Sequence, residues 1–326
     1  MRRASLLVVP LFVHFFGCTR TVDPPEGLTF VDRKTTPAPT ATLVAKDSDD
    51  GFGSAVAVYD GDVWVGAPHG TEGRVYRWSS DDITPALAGP GRLGAHLQAT
   101  ATSLLVSAPL DDRVLDQDGN TVHSGLSGMG IALSAGGDVA WESGWRGPDG
   151  NERETPGRPS TLHRDGDRVG VGMIHGPVAF VDGEQQLARP EAGDEAGFSL
   201  ASGTVEGEEV WILGAPAANR VIAVRKADLG IQREWTGTGR FGHTIVTVDV
   251  DGDDRVDLVV GAPLDGDQGR VVWFPDMTTA PEGIELNAPD ARGAGMAMTS
   301  DETRLIIGAP GSPTALGQVI MLPLPL

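Results

Sequence analysis

Five aspartates lie within the nine residues DVDGDDRVD, directly before a strongly apolar stretch. Asp249, Asp251, Asp253 and Asp257 occupy positions 1, 3, 5 and 9 of this sequence, and Arg255 occupies position 7. So many carboxylates at short range repel each other unless a cation neutralises them or some of them bind protons. A tight turn with this spacing can direct the carboxylate oxygens and the Arg255 carbonyl towards one hard cation, and calcium suits such a set better than magnesium. The alternative is a solvated hairpin that binds no ion.

The spacing of this loop excludes an EF-hand. The EF-hand glycine belongs at position 6, where Asp254 stands, and its bidentate glutamate belongs at position 12, where Val260 stands. A second acidic stretch, DQDGNTVHS, has Asp116, Asp118 and Asn120 at positions 1, 3 and 5 but a serine at position 9. We interpret it as an Asp-Gly hairpin, with a second calcium site as the alternative.

Motifs for catalysis are absent from the sequence. GTGRFG at 237–242 has the glycine spacing of a dinucleotide-binding loop, but an alternating strand pattern follows it where a helix is required. No G-x-S-x-G, H-E-x-x-H or C-x-x-C occurs, and the seven histidines have no local metal or triad spacing. The sequence therefore predicts a protein that is not an enzyme, with a catalytic set assembled from distant loops as the alternative.

Charge and composition restrict the partners and the fold class. The 326 residues carry a formal net charge of −20, and no Lys/Arg block occurs, so a nucleic acid partner is excluded. The 45 glycines and 23 prolines are typical of many short strands that are joined by tight turns. An all-β fold is the first expectation.

The N-terminus has the pattern of an export signal. Two arginines precede an apolar run at 6–16 that is too short to span a bilayer, so residues 1–17 are predicted to be a signal peptide. The stretch FFGC places Cys18 after a glycine and resembles a bacterial lipoprotein signal, in which the cysteine is lipidated. An ordinary cleaved signal is the alternative. Residues 18–40 are rich in Pro and Thr and predict a tether. We expect a protein of the bacterial cell envelope, an outer-membrane lipoprotein that faces the periplasm or the surface.

An internal repeat predicts the architecture of residues 41–326. Its recurring signal is an apolar run that ends in Gly-Ala-Pro or a variant of it: VWVGAP, LLVSAP, WILGAP, LVVGAP and LIIGAP, with degenerate copies VAWESG and VGVGMI. The mean spacing of these seven copies is about 40 residues, the period of a four-stranded propeller blade. The sequence therefore predicts an all-β, seven-bladed β-propeller. ATLVAKD at 41–47 is predicted to supply the outer strand of the last blade and so to close the ring.

These repeats resemble the FG-GAP family, the seven-bladed propeller of integrin α subunits and of many bacterial surface proteins. Phe52-Gly53 with Gly66-Ala67-Pro68, and Phe241-Gly242 with Gly261-Ala262-Pro263, carry both halves of the motif, and the resemblance covers roughly 41–323. In that family a calcium loop lies between the first and second strands of a blade. The stretch 249–257 lies at that position, between TIVTV and DLVVGAP.

The resemblance implies recognition or adhesion. We expect the loops at the propeller rim to bind a protein or glycan ligand of the envelope or exterior, the calcium loop to be structural, and Cys18 to anchor the chain in a membrane. The first alternative is an envelope hydrolase or lyase that acts on glycans or phospholipids. A cavity at the channel mouth lined by acids and by histidines with shifted pKa values would favour that alternative. The second alternative is a structural subunit of a larger complex.

Overall fold

The computed structural model describes residues 41–44, 51–79, 82–173, 178–182, 184–188, 195–277, 283–286, 291–312 and 316–326. The predicted signal peptide (1–17), the lipidation site Cys18 and the tether (18–40) lie outside the described residues. No helix within the described residues is both long enough and apolar enough to cross a membrane.

The described strands form seven four-stranded antiparallel sheets, here called blades 1 to 7. Blades 1 and 2 contain β2 (Ala55–Tyr59), β3 (Asp62–Ala67), β4 (Gly73–Ser79), β5 (Asp82–Gly89), β6 (Leu97–Ala99), β7 (Leu104–Ala108), β8 (Arg113–Leu115) and β9 (Thr121–Ser124). Blades 3 and 4 contain β10 (Ala132–Leu133), β11 (Val139–Trp141), β12 (Gly144–Arg146), β13 (Glu152–Glu154), β14 (Pro159–Asp165), β15 (Arg168–Met173), β16 (Val178–Asp182) and β17 (Glu184–Ala188).

Blades 5 and 6 contain β18 (Ser199–Val205), β19 (Glu208–Ala215), β20 (Arg220–Arg225), β21 (Ile231–Thr236), β22 (Thr244–Val248), β23 (Asp257–Ala262), β24 (Arg270–Phe274) and β25 (Ile284–Leu286). Blade 7 contains β26 (Ala297–Ser300), β27 (Arg304–Ala309), β28 (Gln318–Pro323) and β1 (Ala41–Val44) from the start of the described chain. One 3₁₀ turn, Pro109–Asp111, is the helical segment among the described residues. The prediction of an all-β propeller with four-stranded blades is confirmed.

The strand β1 completes the last blade. It pairs antiparallel with β28, in a register that places Ala41 opposite Met321 and Val44 opposite Gln318. The buried side chain of Leu43 packs in a core cluster that includes residues of blades 1 and 7.

The first strands of all seven blades line one central channel with a cavity of about 490 Å³. Apolar side chains form buried clusters between neighbouring blades. The cluster between blades 5 and 6, for example, joins Ile212 of β19 to Val260 of β23, and both are fully buried. Blades are therefore held together by apolar packing, the largest favourable contribution to folding.

The glycines of the repeat permit close contact between blades. The N–H of Gly242 donates to the Gly261 carbonyl of its own blade at 3.2 Å. A Cβ on Gly261 would lie 2.3 Å from the Gly295 carbonyl oxygen of the next blade, so no larger residue fits. The same contact occurs in other neighbouring pairs, including the last blade against the first: Gly66 with Gly94, Gly172 with Gly197, Gly214 with Gly242, and Gly308 with Gly53. The motif thus encodes the interface between blades.

A buried ion pair joins blades 3 and 4. Asp138 lies in the hairpin between β10 and β11 and is fully buried. Arg164 of β14 donates to it through Nε at 2.9 Å and also through Nη2, and the hydroxyl of Ser134 donates to the same carboxylate. This hydrogen bonding raises the pKa of the Arg164 guanidinium, which therefore stays charged. The pair fixes the position of one blade relative to the next.

Candidate functional site

The acidic loop is the turn between β22 and β23, which pair in register from Thr244–Gly261 to Val248–Asp257. Asp249 organises the turn: its Oδ1 accepts the N–H of Gly252 at 2.7 Å and its Oδ2 accepts the N–H of Asp254 at 2.9 Å. Gly252 and Asp254 both adopt left-handed backbone conformations, with φ of 77° and 64°. The tight turn that the sequence predicts is therefore present.

The turn brings three of the four predicted carboxylates together. Asp249, Asp251 and Asp257 each present a carboxylate oxygen within 4.8 Å of those of the other two. Asp257 is the buried member, with 1% of its surface exposed. Its Oδ2 accepts the N–H of Val250 at 2.9 Å and its Oδ1 accepts the N–H of Asp276 at 2.7 Å. Both oxygens are thus held in fixed directions.

Burial raises the pKa of Asp257, and the charge of Asp251 adds to the rise, although the two backbone N–H groups act in the opposite direction. A carboxylate in this position is stabilised by a nearby cation, because the cation offsets both the loss of hydration and the like charge. The donor atoms of the cluster are all oxygens, the ligand type that hard divalent cations prefer. The residues present therefore fit a calcium ion.

The fourth predicted carboxylate, Asp253, has a different partner. Its Oδ2 accepts from Arg255 Nε at 3.0 Å, and its Oδ1 accepts the N–H of the same arginine at 3.0 Å. The Arg255 guanidinium also lies 2.9 Å from Asp276. The side chain of Arg255 therefore neutralises Asp253 at the outside of the turn. The predicted ligand at this position is the main-chain carbonyl of Arg255, which belongs to the same turn.

Asp276 also belongs to this site, although the spacing of the acidic loop does not predict it. It follows β24, its N–H donates to the Asp257 carboxylate, and its own carboxylate pairs with the Arg255 guanidinium. The loop is also held from the other side. Val250 is fully buried in the cluster between blades 6 and 7, and its carbonyl accepts the N–H of Leu326 at 2.7 Å. The backbone around the carboxylates is thus fixed from both sides.

The second acidic stretch forms a hairpin between β8 and β9. Asp116 Oδ1 accepts the N–H groups of Asp118 at 3.0 Å and Asn120 at 2.8 Å, and its Oδ2 accepts from the Asn120 side chain at 3.0 Å. The hydrogen bond from the Asn120 side chain is the main cause of the lowered pKa of Asp116. The carboxylate oxygens of Asp116 are engaged in the turn, as the hairpin interpretation expects.

A cavity larger than that of the channel opens at the end where the Gly-Ala-Pro turns lie, and it is here called the mouth cavity. It has a volume of about 690 Å³, and its charged and imidazole lining comes from His69, Arg92, His96, Asp112, Glu142 and Arg158. Pro68, Pro109 and Pro310, which end three of the Gly-Ala-Pro signals, also line it. Because β22 and β23 run antiparallel, the Gly-Ala-Pro turns lie at the opposite end of these strands from the acidic loop.

The two acids of the mouth cavity accept hydrogen bonds from neighbouring groups of blade 3. Asp112 Oδ1 accepts the N–H of Gly128 at 2.7 Å, and Glu142 Oε2 accepts the Ser127 hydroxyl at 3.2 Å. Surrounding protein and the charge of Arg92 lower the pKa of His96. His96 is nevertheless an exposed residue that lines the cavity, so solvent limits this effect.

His243 immediately precedes β22 and packs against Phe198, with ring centroids 4.8 Å apart. Burial, together with the charge of Arg240, lowers its pKa from 6.5 to about 4. The unfolded chain therefore binds a proton at His243 between pH 6.5 and 4 and the folded chain does not, so stability falls as the pH falls through this window.

We expect protonation of His243 in the unfolded chain to lower the free energy of unfolding by about 1 to 3 kcal/mol across this pH range. Denaturant unfolding of the wild type and of His243→Gln at pH 7 and pH 4.5 measures it. A pH dependence that His243→Gln leaves unchanged contradicts the assignment.

Comparison with known proteins identifies the repeat. The family model for the FG-GAP repeat matches residues 241–272, which run from Phe241 through the acidic loop to β24. Residues 241–272 therefore match an FG-GAP repeat. The acidic loop lies inside the matched segment, between the phenylalanine-glycine pair and Gly261-Ala262-Pro263.

One curated relative is similar to part of the chain. Integrin alpha-V of Gallus gallus is 33% identical over 82 residues, which cover 22% of this chain and 8% of that protein. The chain thus matches a small part of that relative's length.

Solved structures share the fold of this chain. Virginiamycin B lyase from Staphylococcus aureus has a TM-score of 0.64 at 14% identity, covering 86% of this chain and 98% of that chain. A chain of the mitotic checkpoint complex has a TM-score of 0.62 at 12% identity, covering 96% and 99%. At such identities the likeness concerns the fold alone.

Proposed function

We propose that this FG-GAP chain is a recognition or adhesion propeller that binds a protein or glycan ligand at its rim and is stabilised by one calcium ion. The observation that carries the proposal is the arrangement of the matched repeat. Its acidic loop has three carboxylates in one cluster at one end of the strands, and an open cavity lies at the other end. Nucleic acid is not proposed as a partner, because the net charge of −20 repels phosphate.

The calcium ion is assigned to Asp249, Asp251 and Asp257, with the carbonyl of Arg255 and the Asp253 carboxylate completing the set when the ion is bound. Arg255 must then release Asp253, or Asp253 contributes only to the charge around the site. A calcium ion here acts structurally: it neutralises the cluster and holds β22 and β23 together. Activation of a water molecule, which is the typical chemistry of zinc sites, is not proposed.

The ring is proposed to be closed by β1, so removing that strand should weaken the whole fold. Deletion of 41–44 removes the four backbone pairs with β28 and exposes the edge of the last blade. We expect a large fall in the unfolding midpoint for this deletion and little change for deletion of 19–40. Thermal unfolding of the two truncated chains measures the difference, and equal midpoints contradict the proposed closure.

The ligand-binding face is assigned to the end with the Gly-Ala-Pro turns. Leu110 and Leu264 follow two of these turns and are 74% and 61% exposed. Leu110 also lines the mouth cavity, where it offers apolar contact area to a partner. Binding at this face would leave the calcium loop free, since the loop lies at the opposite end of the strands.

A binding screen tests the recognition function. The chain without residues 1–40 is immobilised and exposed to glycan and envelope-protein arrays in calcium and, separately, in chelator. We expect specific ligands whose binding weakens in chelator, because loss of the ion destabilises blade 6. Absence of any specific ligand in calcium contradicts the recognition function.

Anchoring in the bacterial envelope is proposed to occur through a lipid on Cys18. The support is the sequence FFGC after an apolar run. Mass spectrometry of the membrane-extracted protein should show a diacylglyceryl cysteine at the new N-terminus, and Cys18→Ala should release the protein from the membrane fraction. Membrane retention of Cys18→Ala contradicts the anchor.

The mouth cavity supports one alternative function, a hydrolase or lyase that acts on envelope glycans or phospholipids. His69, His96, Asp112 and Glu142 line one concave space, which is a common feature of active sites. Against it, the two acids bond to Gly128 and Ser127 rather than to a histidine. Incubation of the chain with panels of glycans and phospholipids distinguishes an enzyme from a binding protein. Substrate turnover that Glu142→Gln abolishes would favour the enzyme.

A further inference from the structure

Arginines of this acidic protein are generally paired with carboxylates. Most of the described arginines lie within 4.0 Å of an Asp or Glu oxygen, for example Arg77 with Asp62 and Arg233 with Glu206. Arg92, Arg158 and Arg292 differ, since no carboxylate of the described residues lies within that distance of their guanidiniums. All three are exposed, but only Arg92 and Arg158 line the mouth cavity. Two guanidiniums that face one concave space without a carboxylate are available to a bound anion.

The comparison of Arg92 with Arg240 shows that the turn in which Arg92 lies does not by itself prevent an arginine from pairing with a carboxylate. Both stand in a Gly-Arg-x-Gly turn before a first strand, and both have left-handed backbones, with φ of 61° and 65°. Arg240 donates to Glu195 at 2.6 Å and lies over the Phe198 ring at 5.5 Å. Arg92 instead donates to the imidazole of His69 at 3.0 Å. The same turn thus holds an internal ion pair in one blade and presents a cation to the cavity in another.

Both guanidiniums extend from fixed backbone. Leu93, the neighbour of Arg92, is buried, and a Cβ on Gly91 would lie 2.3 Å from the Asp111 side chain, so the turn packs closely against the protein on both sides of Arg92. Arg158 precedes Pro159, the buried first residue of β14, and a residue before proline is restricted to extended conformations. Preorganised donors lose less entropy when a ligand binds.

The rest of the lining restricts the ligand further. Asp112 and Glu142 each use one oxygen within the protein, and the second oxygen of each takes no hydrogen bond from the described residues. These oxygens can accept hydrogen bonds from ligand hydroxyls. Ile131, Phe198 and Met296 supply an apolar part of the surface.

The two acids also argue against other anions and against a metal. A phosphate monoester, which carries up to two negative charges, would be repelled by Asp112 and Glu142 more strongly than a carboxylate, which carries one charge and accepts hydrogen bonds from guanidinium groups. A metal ion would be repelled by Arg92 and Arg158. A volume of about 690 Å³ is in the range of pockets for small organic ligands.

We propose that the mouth cavity binds a carboxylated sugar, with its carboxylate on Arg92 and Arg158, its hydroxyls on Asp112 and Glu142, and its C–H face on the apolar residues. This proposal rests on the recognition function above, because it names a ligand class for the same face. It adds a site that lies at the opposite end of the strands from the calcium loop.

The test is a calorimetric titration of the full folded chain in calcium with three probes. Methyl β-D-glucuronide carries the carboxylate and the hydroxyls, methyl β-D-glucoside lacks the carboxylate, and N-acetylglycine lacks the sugar. We expect the glucuronide to bind about 10-fold more tightly than either other probe, because a charge-assisted hydrogen bond contributes roughly that factor. Glucuronide that does not bind, or that binds no more tightly than the glucoside, overturns the proposal. Equal binding of N-acetylglycine overturns the sugar assignment.

Two variants and a matched control locate the site. Arg92→Gln and Arg158→Gln are each expected to weaken glucuronide binding about 10-fold and to leave glucoside binding unchanged. Arg292→Gln changes an exposed arginine in the corresponding turn before the last blade, outside the cavity lining, and should have no effect. A loss in Arg292→Gln equal to that in Arg92→Gln overturns the assignment, since binding would then depend on net charge alone.

Failure of this site can be distinguished from failure of the recognition function. If array ligands bind in calcium but Arg92→Gln binds all of them normally, recognition stands and the carboxylate site is wrong. If neither the array nor the glucuronide yields binding, both proposals are wrong.

Discussion

Replacing Arg164 with alanine is expected to lower the free energy of unfolding by about 3 to 5 kcal/mol. The change leaves the Asp138 carboxylate, which is fully buried, with the Ser134 hydroxyl as its side-chain partner. An uncompensated buried charge is expensive, and the pair also joins blade 3 to blade 4. Denaturant-induced unfolding of the wild type and the variant measures the difference.

Arg77→Ala is the matched control for this prediction. Arg77 pairs with Asp62, but its own side chain is 46% exposed, so water replaces the lost partner. We expect a loss of about 1 kcal/mol or less. The account of the buried pair is contradicted if Arg164→Ala costs no more than Arg77→Ala.

Calcium is expected to raise the unfolding temperature of the chain by about 5 to 10 °C at concentrations roughly 100-fold above its dissociation constant. In the proposed site the ion relieves the repulsion among the clustered carboxylates of Asp249, Asp251 and Asp257. The unfolded chain does not hold these carboxylates together, so binding stabilises the folded state. Thermal unfolding in calcium and in chelator measures the shift.

Asp251→Asn and Asp118→Asn separate a specific site from a general effect of charge. Both remove one carboxylate from an acidic hairpin. We expect Asp251→Asn to lose most of the calcium-dependent shift and Asp118→Asn to keep it, because Asp118 lies in the hairpin that Asp116 closes through hydrogen bonds. A shift that survives in Asp251→Asn, or that disappears in Asp118→Asn, contradicts the assigned site.

The fold could be predicted because each blade carries the same short sequence signal, whose glycine is required by contact with the next blade. Gly261 approaches the carbonyl of Gly295 so closely that only glycine fits, and the same demand recurs in other blades. Even the degenerate copies follow the pattern: VAWESG contains β11 (Val139–Trp141), and VGVGMI begins within β15 (Arg168–Met173). Because the glycines that permit contact between blades recur at a regular spacing, the repeat can be detected from the sequence without knowledge of the contacts.

The acidic loop was only partly predictable. Asp249, Asp251 and Asp257 are close in sequence, so their spacing indicated the cluster correctly. The pairing of Asp253 with Arg255 was not expected, because the prediction considered the carbonyl of Arg255 and not its guanidinium. Asp276 reaches the loop from another turn of the same blade, and no local spacing indicates a contact of that kind.

The mouth cavity could not be predicted from spacing at all. Arg92, Asp112, Glu142 and Arg158 come from different blades or from the turns between them, and they meet only because the blades surround one channel. Each of these residues is an ordinary charged loop residue in the sequence. Their significance depends on which neighbours lack a partner in the folded chain, and only the structure gives this information.

Crystals grown in calcium would test the central claim most directly, through anomalous scattering from the bound ion. The account predicts one peak at the β22–β23 turn, about 2.3 to 2.6 Å from carboxylate oxygens of Asp249, Asp251 and Asp257. Saturating calcium that leaves no peak among these three residues would contradict it.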